Sequence, residues 1–341
     1  MVSRYRRTYG PLFRGHMTED VSLALTTGLT TGEVLAEVTR GGVVESQHSG
    51  HLVVLDKHGK VLASKGNPKI LMYPRSAIKS IQASAMVRAG LTLEPRLLAL
   101  VCASHSGSQM HQSAALEILS TVDLDENALG NAKDRPLGAE EKRAWGAKAP
   151  TRLAHNCSGK HAGMVVASAL NNWPLDTYLD PQHPVQIACR QELESLAEEN
   201  VSLTSIDGCG APLFLLSLGG LARAIHNITV SKDSIHQEVL AAARSFPEMV
   251  AGENRSTTRL MQRVEGLFLK EGAEGVEVGS LGDGRTFAFK ITDGSSRAHE
   301  LIVGAILELL NIEGTYAPAS VFGGQQIVGS FGAISLIELK G

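Results

Sequence analysis

The chain has little that is aromatic: two Trp, five Tyr and eight Phe make up 4% of 341 residues. Its core must be filled by aliphatic side chains and alanine, and 35 Gly point to close backbone approach and tight turns. An excess of either charge is also missing, since 32 Lys and Arg against 35 Asp and Glu leave a formal charge of −3. With no basic stripe and no zinc-finger spacing, nucleic acid is not an expected partner. No apolar run approaches the roughly 20 residues that span a bilayer, so no membrane partner is expected. Cysteine is scarce, with four residues: Cys102, Cys157, Cys189 and Cys209. The opening "MVSRYRRTYGPLFRGHM" has no apolar stretch and no small-residue cleavage site. Free thiols and a cytoplasmic location are therefore the expectation. Residues 1–30 read as a poorly ordered extension, with Met17 as an alternative start. P-loop, GxGxxG, GxSxG, CxxC and HExxH patterns are all absent, so no nucleotide cofactor is expected.

What is present is a pattern that changes period along the chain. Residues 33–64 read as strands, with "DKHGK" at 56–60 as a hairpin turn around Gly59. From Ser76 the pattern becomes helical, with Ile78, Ile81 and Val87 near one face and a stop at Gly90. Helical stretches follow at 111–122, 159–170, 184–200, 211–225, 234–246 and 256–270, while "LLALV" at 97–101 looks strand-like. A hairpin around "GDG" spans 275–294, a helix covers 296–312, and a last strand runs over 327–339. Strands at both ends with helices between them imply an α+β fold. The expected architecture is an antiparallel sheet built from N- and C-terminal strands and flanked by helices. A sheet subdomain would take 31–95 and 250–341, and a helical subdomain 96–249.

Several short stretches carry chemistry. In "YPRSAIKS", Ser76 and Lys79 lie three apart and share a helix face. Pro74 suits a helix start, whose positive end favours a developing oxyanion. A serine hydroxyl needs a base to take its proton, and lysine serves only if its pKa falls toward neutrality. About one Ser-x-x-Lys arises by chance in a chain this long, so the spacing alone decides nothing. "VCASHSGSQMH" places Ser104 and His105 in a small-residue loop. "HNCSGKHAGM" sets Cys157, Lys160 and His161 at the mouth of an apolar helix, and "IDGCGAP" adds Asp207 and Cys209. Two cysteines and a nitrogen suit a soft cation, but lysine must first lose its proton; on spacing alone unbound thiols are favoured. Lys270, in "GLFLKEGAEG", reads by itself as an ordinary exposed lysine.

Taken together and in order, these blocks resemble the L-asparaginase II family, the rhizobial-type asparaginases. The likeness runs from about Val38 to Gly341. It rests on "VTRGGVVESQHSGHLVVLDKHGKVLASKGNP", "PRSAIKSIQA", "CASHSG", "NCSGKHAGM", "DGCGAP", "MVAGENR", "KEGAEG" and "KITDG". The resemblance implies a serine β-lactamase/glutaminase-like fold, hydrolysis of the side-chain amide of L-asparagine, and a homodimer. By position it implies catalytic roles for Ser76, Lys79, Ser104 and Lys270. Arg75, His161 and Asp207 would line the substrate pocket, and Cys157, Lys160 and Cys209 would form a zinc site. Ser108 stands where the family commonly has Glu, and alignment at Lys270 needs a one-residue gap. A second lysine also answers a physical problem, because two ammonium groups in one pocket repel and one gives up its proton more easily. Ser76, beside Lys79, is the expected attacker in an acyl transfer. Two alternatives are another serine acylase, active on glutamine or β-lactams, and a non-catalytic binding protein. The first lacks a Ser-Asp-Asn element, and the second sits poorly with four candidate catalytic residues.

Overall fold

Two glycines with positive φ, Gly41 at 57° and Gly42 at 81°, turn the first strand back on itself. Positive φ at both central positions is the geometry that matches the twist of a two-residue hairpin. The computed structural model describes residues 31–336, so the expected disorder of residues 1–30 and the end of the last expected strand lie outside the described residues. Its strands are β1 (Glu33–Arg40), β2 (Val43–Leu55), β3 (Val61–Lys65), β4 (Leu71–Met72), β5 (Leu203–Ile206) and β6 (Pro212–Ser217). They continue with β7 (Phe268–Gly272), β8 (Val276–Ser280), β9 (Thr286–Ile291), β10 (Ala319–Gly323) and β11 (Gln326–Ala333).

The main sheet has the order β10-β11-β1-β2-β9-β8-β7, with β3 also paired to β2, and its pairings are antiparallel. The first and last strands are neighbours, with Glu37 opposite Gly332, so the chain ends close one sheet as the strand pattern implies. The turn at 56–60 forms as expected: Asp56 Oδ1 accepts from the amides of His58 and Lys60 at 2.8 and 2.9 Å, and Gly59 has φ 77°. Every residue of β8 and β9 is buried, so both faces of the sheet are covered there. The helix Leu218–Val230 packs on β2, β8 and β9, and the helix His299–Leu309 packs on β1 and β11.

At the centre of the helical part lies Lys79–Arg88, preceded by the 3₁₀ turn Arg75–Ile78. It touches the helices Pro95–Val101, Ser158–Leu170, Pro184–Ala197 and Ser234–Ser245. Surrounded in this way, its residues from Lys79 to Met86 are all buried, and its Ser and Ala side chains let neighbours approach. A one-faced apolar stripe understates this element, because apolar periodicity describes a helix with a wet side.

Three local expectations are corrected. "LLALV" lies in the helix Pro95–Val101, not a strand: Pro95 occupies the first turn and a five-residue apolar run is ambiguous between buried helix and buried strand. Residues 211–225 divide into β6 and the helix starting at Leu218, where Ser217 caps the helix by accepting from the Gly220 amide at 2.8 Å. The stretch 256–270 likewise divides into the helix Ser256–Arg263 and β7. Gly266, with φ 71°, sits in the break between them. Lys270 consequently stands on a sheet strand, where its neighbours on either side point the opposite way.

Candidate active site

Lysine buried without an acid partner is rare, and here two such lysines meet at one hydroxyl. Lys79 is 1% exposed on the first turn of its helix, and Lys270 is 1% exposed on β7. Ser104 lies between them in the loop that follows Pro95–Val101. Lys79 Nζ donates to Ser104 Oγ at 3.2 Å, to Cys157 Sγ at 3.1 Å and to the Ala103 carbonyl. Three acceptors match the three hydrogens of an ammonium. Lys270 Nζ lies 2.8 Å from Ser104 Oγ and 2.7 Å from the Glu271 carbonyl. Burial, reinforced by the charge of Lys79, pulls the Lys270 pKa down to about 7. A neutral Lys270 can donate to Glu271 and accept the Ser104 proton, while Lys79 holds the serine oxygen from the other side.

The backbone fixes this loop tightly. Ser104 and Ser106 donate their amides to the carbonyls of Val250 and Ala251 at 3.0 and 2.7 Å, and the His105 amide donates to Asn156 at 3.2 Å. His105 Nε2 lies 2.9 Å from Ser158 Oγ, and its ring stacks on His111 at 4.8 Å. Burial holds the His105 pKa well below the usual histidine value, so the ring is a neutral strut.

Ser76 is buried on the turn before Lys79, but no hydrogen bond joins its hydroxyl to Lys79 or Lys270 among the described residues. Ser76 sits in a 3₁₀ turn, where residues three apart share a face, so spacing alone does not make the hydrogen bond. That turn is nonetheless close to β7: a Cβ on Gly272 would lie 2.6 Å from the Pro74 carbonyl oxygen. Arg75 has φ 51°, an uncommon conformation for a side chain of its size. Its Nε donates to Asp207 Oδ1 at 2.8 Å. Burial pushes the Asp207 carboxyl up, but Lys160 and Arg75 outweigh it and hold the group below its ordinary value.

Cys157 and Cys209 are buried together, and Lys160 Nζ lies 3.4 Å from Cys209 Sγ. The neighbouring Cys157, with the Lys160 charge, pulls Cys209 down to about 5 against the effect of burial, while Cys209 and burial push Cys157 up. Burial pulls Lys160 down, but the charges of Cys209, Cys157 and Asp207 outweigh it and hold the amine above its ordinary value. These donors suit a soft cation only after Lys160 gives up its proton. Among the described residues no group of three or more His, Cys, Asp or Glu is arranged to hold a metal.

His161 is fully buried one residue beyond Lys160, and burial holds it neutral. Its Nδ1 lies 2.8 Å from the Tyr178 hydroxyl, which also accepts the Gly130 amide at 2.9 Å. The tyrosine proton therefore goes to Nδ1, and the imidazole carries its own hydrogen on Nε2, which has no partner among the described residues. A buried N–H without an acceptor is open to a water, an ion or a ligand oxygen. Tyr178 was not among the residues the sequence singled out, since a lone tyrosine outside any quoted block gives no signal of a hydrogen bond to His161.

A family model, L-asparaginase II, matches residues 36–327. The chain belongs to that family. Membership makes the protein an asparaginase-type amidohydrolase, acting on a small amide substrate. No curated protein is matched by the chain. No helix among the described residues is long and apolar enough to cross a membrane.

Proposed function

We propose that the protein is an L-asparaginase that hydrolyses the side-chain amide of L-asparagine through an acyl-enzyme on a serine activated by Lys270. The observation that carries this reading is the 2.8 Å contact between Ser104 Oγ and a lysine whose pKa lies near 7. In it, Lys270 takes the Ser104 proton as Oγ attacks the amide carbon, and the C–O bond forms. Collapse of the tetrahedral species breaks the C–N bond, and the nitrogen leaves as ammonia with the proton carried by Lys270. Water then attacks the ester, Lys270 takes its proton, and aspartate is released with Ser104 restored. Lys79 donates to the serine oxygen and stabilises negative charge on it. His161 Nε2 and the Arg75–Asp207 pair are proposed to hold the substrate.

A second reading follows from the closeness of the Ser76 turn to β7. There Ser76 attacks and its proton passes through Ser104 to Lys270. Ammonia release by Ser104→Ala and Ser76→Ala, with asparagine, glutamine and a β-lactam as substrates, separates the readings. Loss of a nucleophile–base unit costs roughly a thousandfold or more in kcat. Ser104→Ala should lose this under both readings, and Ser76→Ala only under the second. Full activity of folded Ser104→Ala would end both. Turnover of glutamine or a β-lactam in preference to asparagine would replace the substrate assignment.

Zinc belongs to the same reading as a modulatory ion, held by Cys157, Lys160 and Cys209, where it would tune substrate binding and orientation. The homodimer implied by the resemblance is part of it too. Metal analysis of freshly purified protein should find about one zinc per chain, lost in Cys209→Ser. Protein without zinc, and unchanged asparagine affinity in that variant, would remove the metal from the account.

A further inference from the structure

Beside the lysine centre sits an ion pair to which the proposed chemistry gives no part. Lys270 and Glu271 are consecutive on β7, the edge strand of the main sheet, so their side chains leave opposite faces. Lys270 meets Ser104, and the Glu271 carboxylate pairs with Arg255. The two side chains of the pair are only 24% and 23% exposed, so each is partly withdrawn from solvent screening.

Arg255 also belongs to the segment that holds the serine loop. The Val250 and Ala251 carbonyls accept the amides of Ser104 and Ser106, and the Ala251 carbonyl also accepts the Ser106 hydroxyl at 3.1 Å. The next carbonyl, of Gly252, accepts the Arg255 amide at 3.2 Å and the Thr258 hydroxyl at 2.6 Å. Residues 250–255 therefore tie the Ser104 loop to β7 at the open edge of the sheet. One end holds the loop of the hydroxyl, and the other holds the residue next to the amine.

We propose that Arg255 and Glu271 are positioning residues for amide hydrolysis: their ion pair clips the serine loop to β7 and balances the charge felt by Lys270. The inference rests on the reading of Lys270 as the base.

The charged and titratable groups around Lys270 come from several elements. Lys79 stands on the central helix, Cys102 at the end of Pro95–Val101, Cys157 before Ser158–Leu170, Glu271 on β7 and Arg255 before Ser256–Arg263. Arg75, on the 3₁₀ turn against β7, is taken by Asp207, and Arg244, on the helix Ser234–Ser245, donates to Ser280 at 3.5 Å. Glu277, opposite Glu271 on β8, lies 2.6 Å from His299. Burial and Lys79 disfavour the Lys270 ammonium, Glu271 favours it, and Arg255 opposes Glu271. Neutralising one half of the pair at a time must therefore push Lys270 in opposite directions.

Two measurements on the full chain test this. In Arg255→Gln the Glu271 charge is unopposed, so the acid limb of kcat/KM should move to higher pH by about half a pH unit or more. In Glu271→Gln it should move to lower pH by a similar amount, and Arg255→Lys, which keeps the charge, should restore the parent profile. A pair that only held the fold together would lower the rate in both variants without moving the limb. Glu271→Gln can still accept a hydrogen bond from Arg255, so it tests the charge even where Arg255→Gln does not fold. The second measurement is NMR of lysine labelled with carbon-13 at Cε, with the Lys270 signal identified by its loss in Lys270→Met. It follows the amine directly, without an assay. Opposite shifts of that titration in the two variants would uphold the pair's hold on Lys270; a rate profile that stayed in place beside them would end only the role of Lys270 as base. An unmoved Lys270 titration in both folded variants, or shifts of the same sign, would overturn the inference.

Discussion

At the scale of single residues, the site depends on which of two neighbouring lysines is charged. Lys79 meets three acceptors, and Lys270 meets one carbonyl and one hydroxyl. The same burial that makes Lys270 costly to the fold makes it a usable base. The sign for activity follows from a base that works only without its proton. Below pH 7 Lys270 is an ammonium and cannot accept from Ser104; above it the amine is free. The kcat/KM for amide hydrolysis should therefore rise about tenfold per pH unit on the acid side and level off above about 7. A profile flat between pH 5 and 8 would remove Lys270 from the role.

At the scale of elements, the contact that matters is between β7 and the 3₁₀ turn Arg75–Ile78. Gly272 permits it, because any side chain there would meet the Pro74 carbonyl at 2.6 Å and the Ala77 amide nitrogen at 3.4 Å. Both are backbone atoms and cannot rotate away. Gly272→Ala should force strand and turn apart, costing roughly 1–3 kcal/mol as other overpacked sites do. Lys270 and Ser76 lie on the two elements being separated, so turnover should fall more than the stability loss explains. Thermal unfolding and kcat on the same sample check this. A variant with parent melting temperature and parent kcat would show that the contact is not tight.

At the scale of the whole molecule, Lys270 lowers stability in order to act. Its folded pKa of about 7 lies below its ordinary value of 10.5. Between those values the unfolded chain binds more protons than the folded one, so stability rises with pH there. The cost is fully present below about pH 7 and is relieved as pH climbs. Lys270→Met should thus be more stable than the parent at pH 6. Its advantage should shrink by about 1.4 kcal/mol for each pH unit above about 7. Urea unfolding of both proteins at pH 6, 7.5 and 9 measures the difference. An advantage that does not change with pH would mean that Lys270 titrates normally.

The sequence alone determined the α+β class, the closure of one sheet by the two ends of the chain, and the family, because these rest on local period and on ordered blocks of residues. Strand alternation, turn glycines and Asp56 are local signals, and the hairpin at 56–60 forms from them. Tertiary structure alone decided the rest. The helix Pro95–Val101 and strand β6 are short apolar runs, whose state depends on what packs around them. Lys270 looked like an exposed lysine because neither the pairing of β7 with β8 nor the loop carrying Ser104 is visible within a few residues of it. The spacing of Ser76 and Lys79 puts them on one face, but the hydrogen bonds of Lys79 go to Ser104, Cys157 and the Ala103 carbonyl. The contacts that form instead, Lys270 with Ser104 and His161 with Tyr178, join residues 166 and 17 positions apart. Periodicity reports which residues are buried, but the distance between two buried groups is set only when sheet, turn and helices close around them.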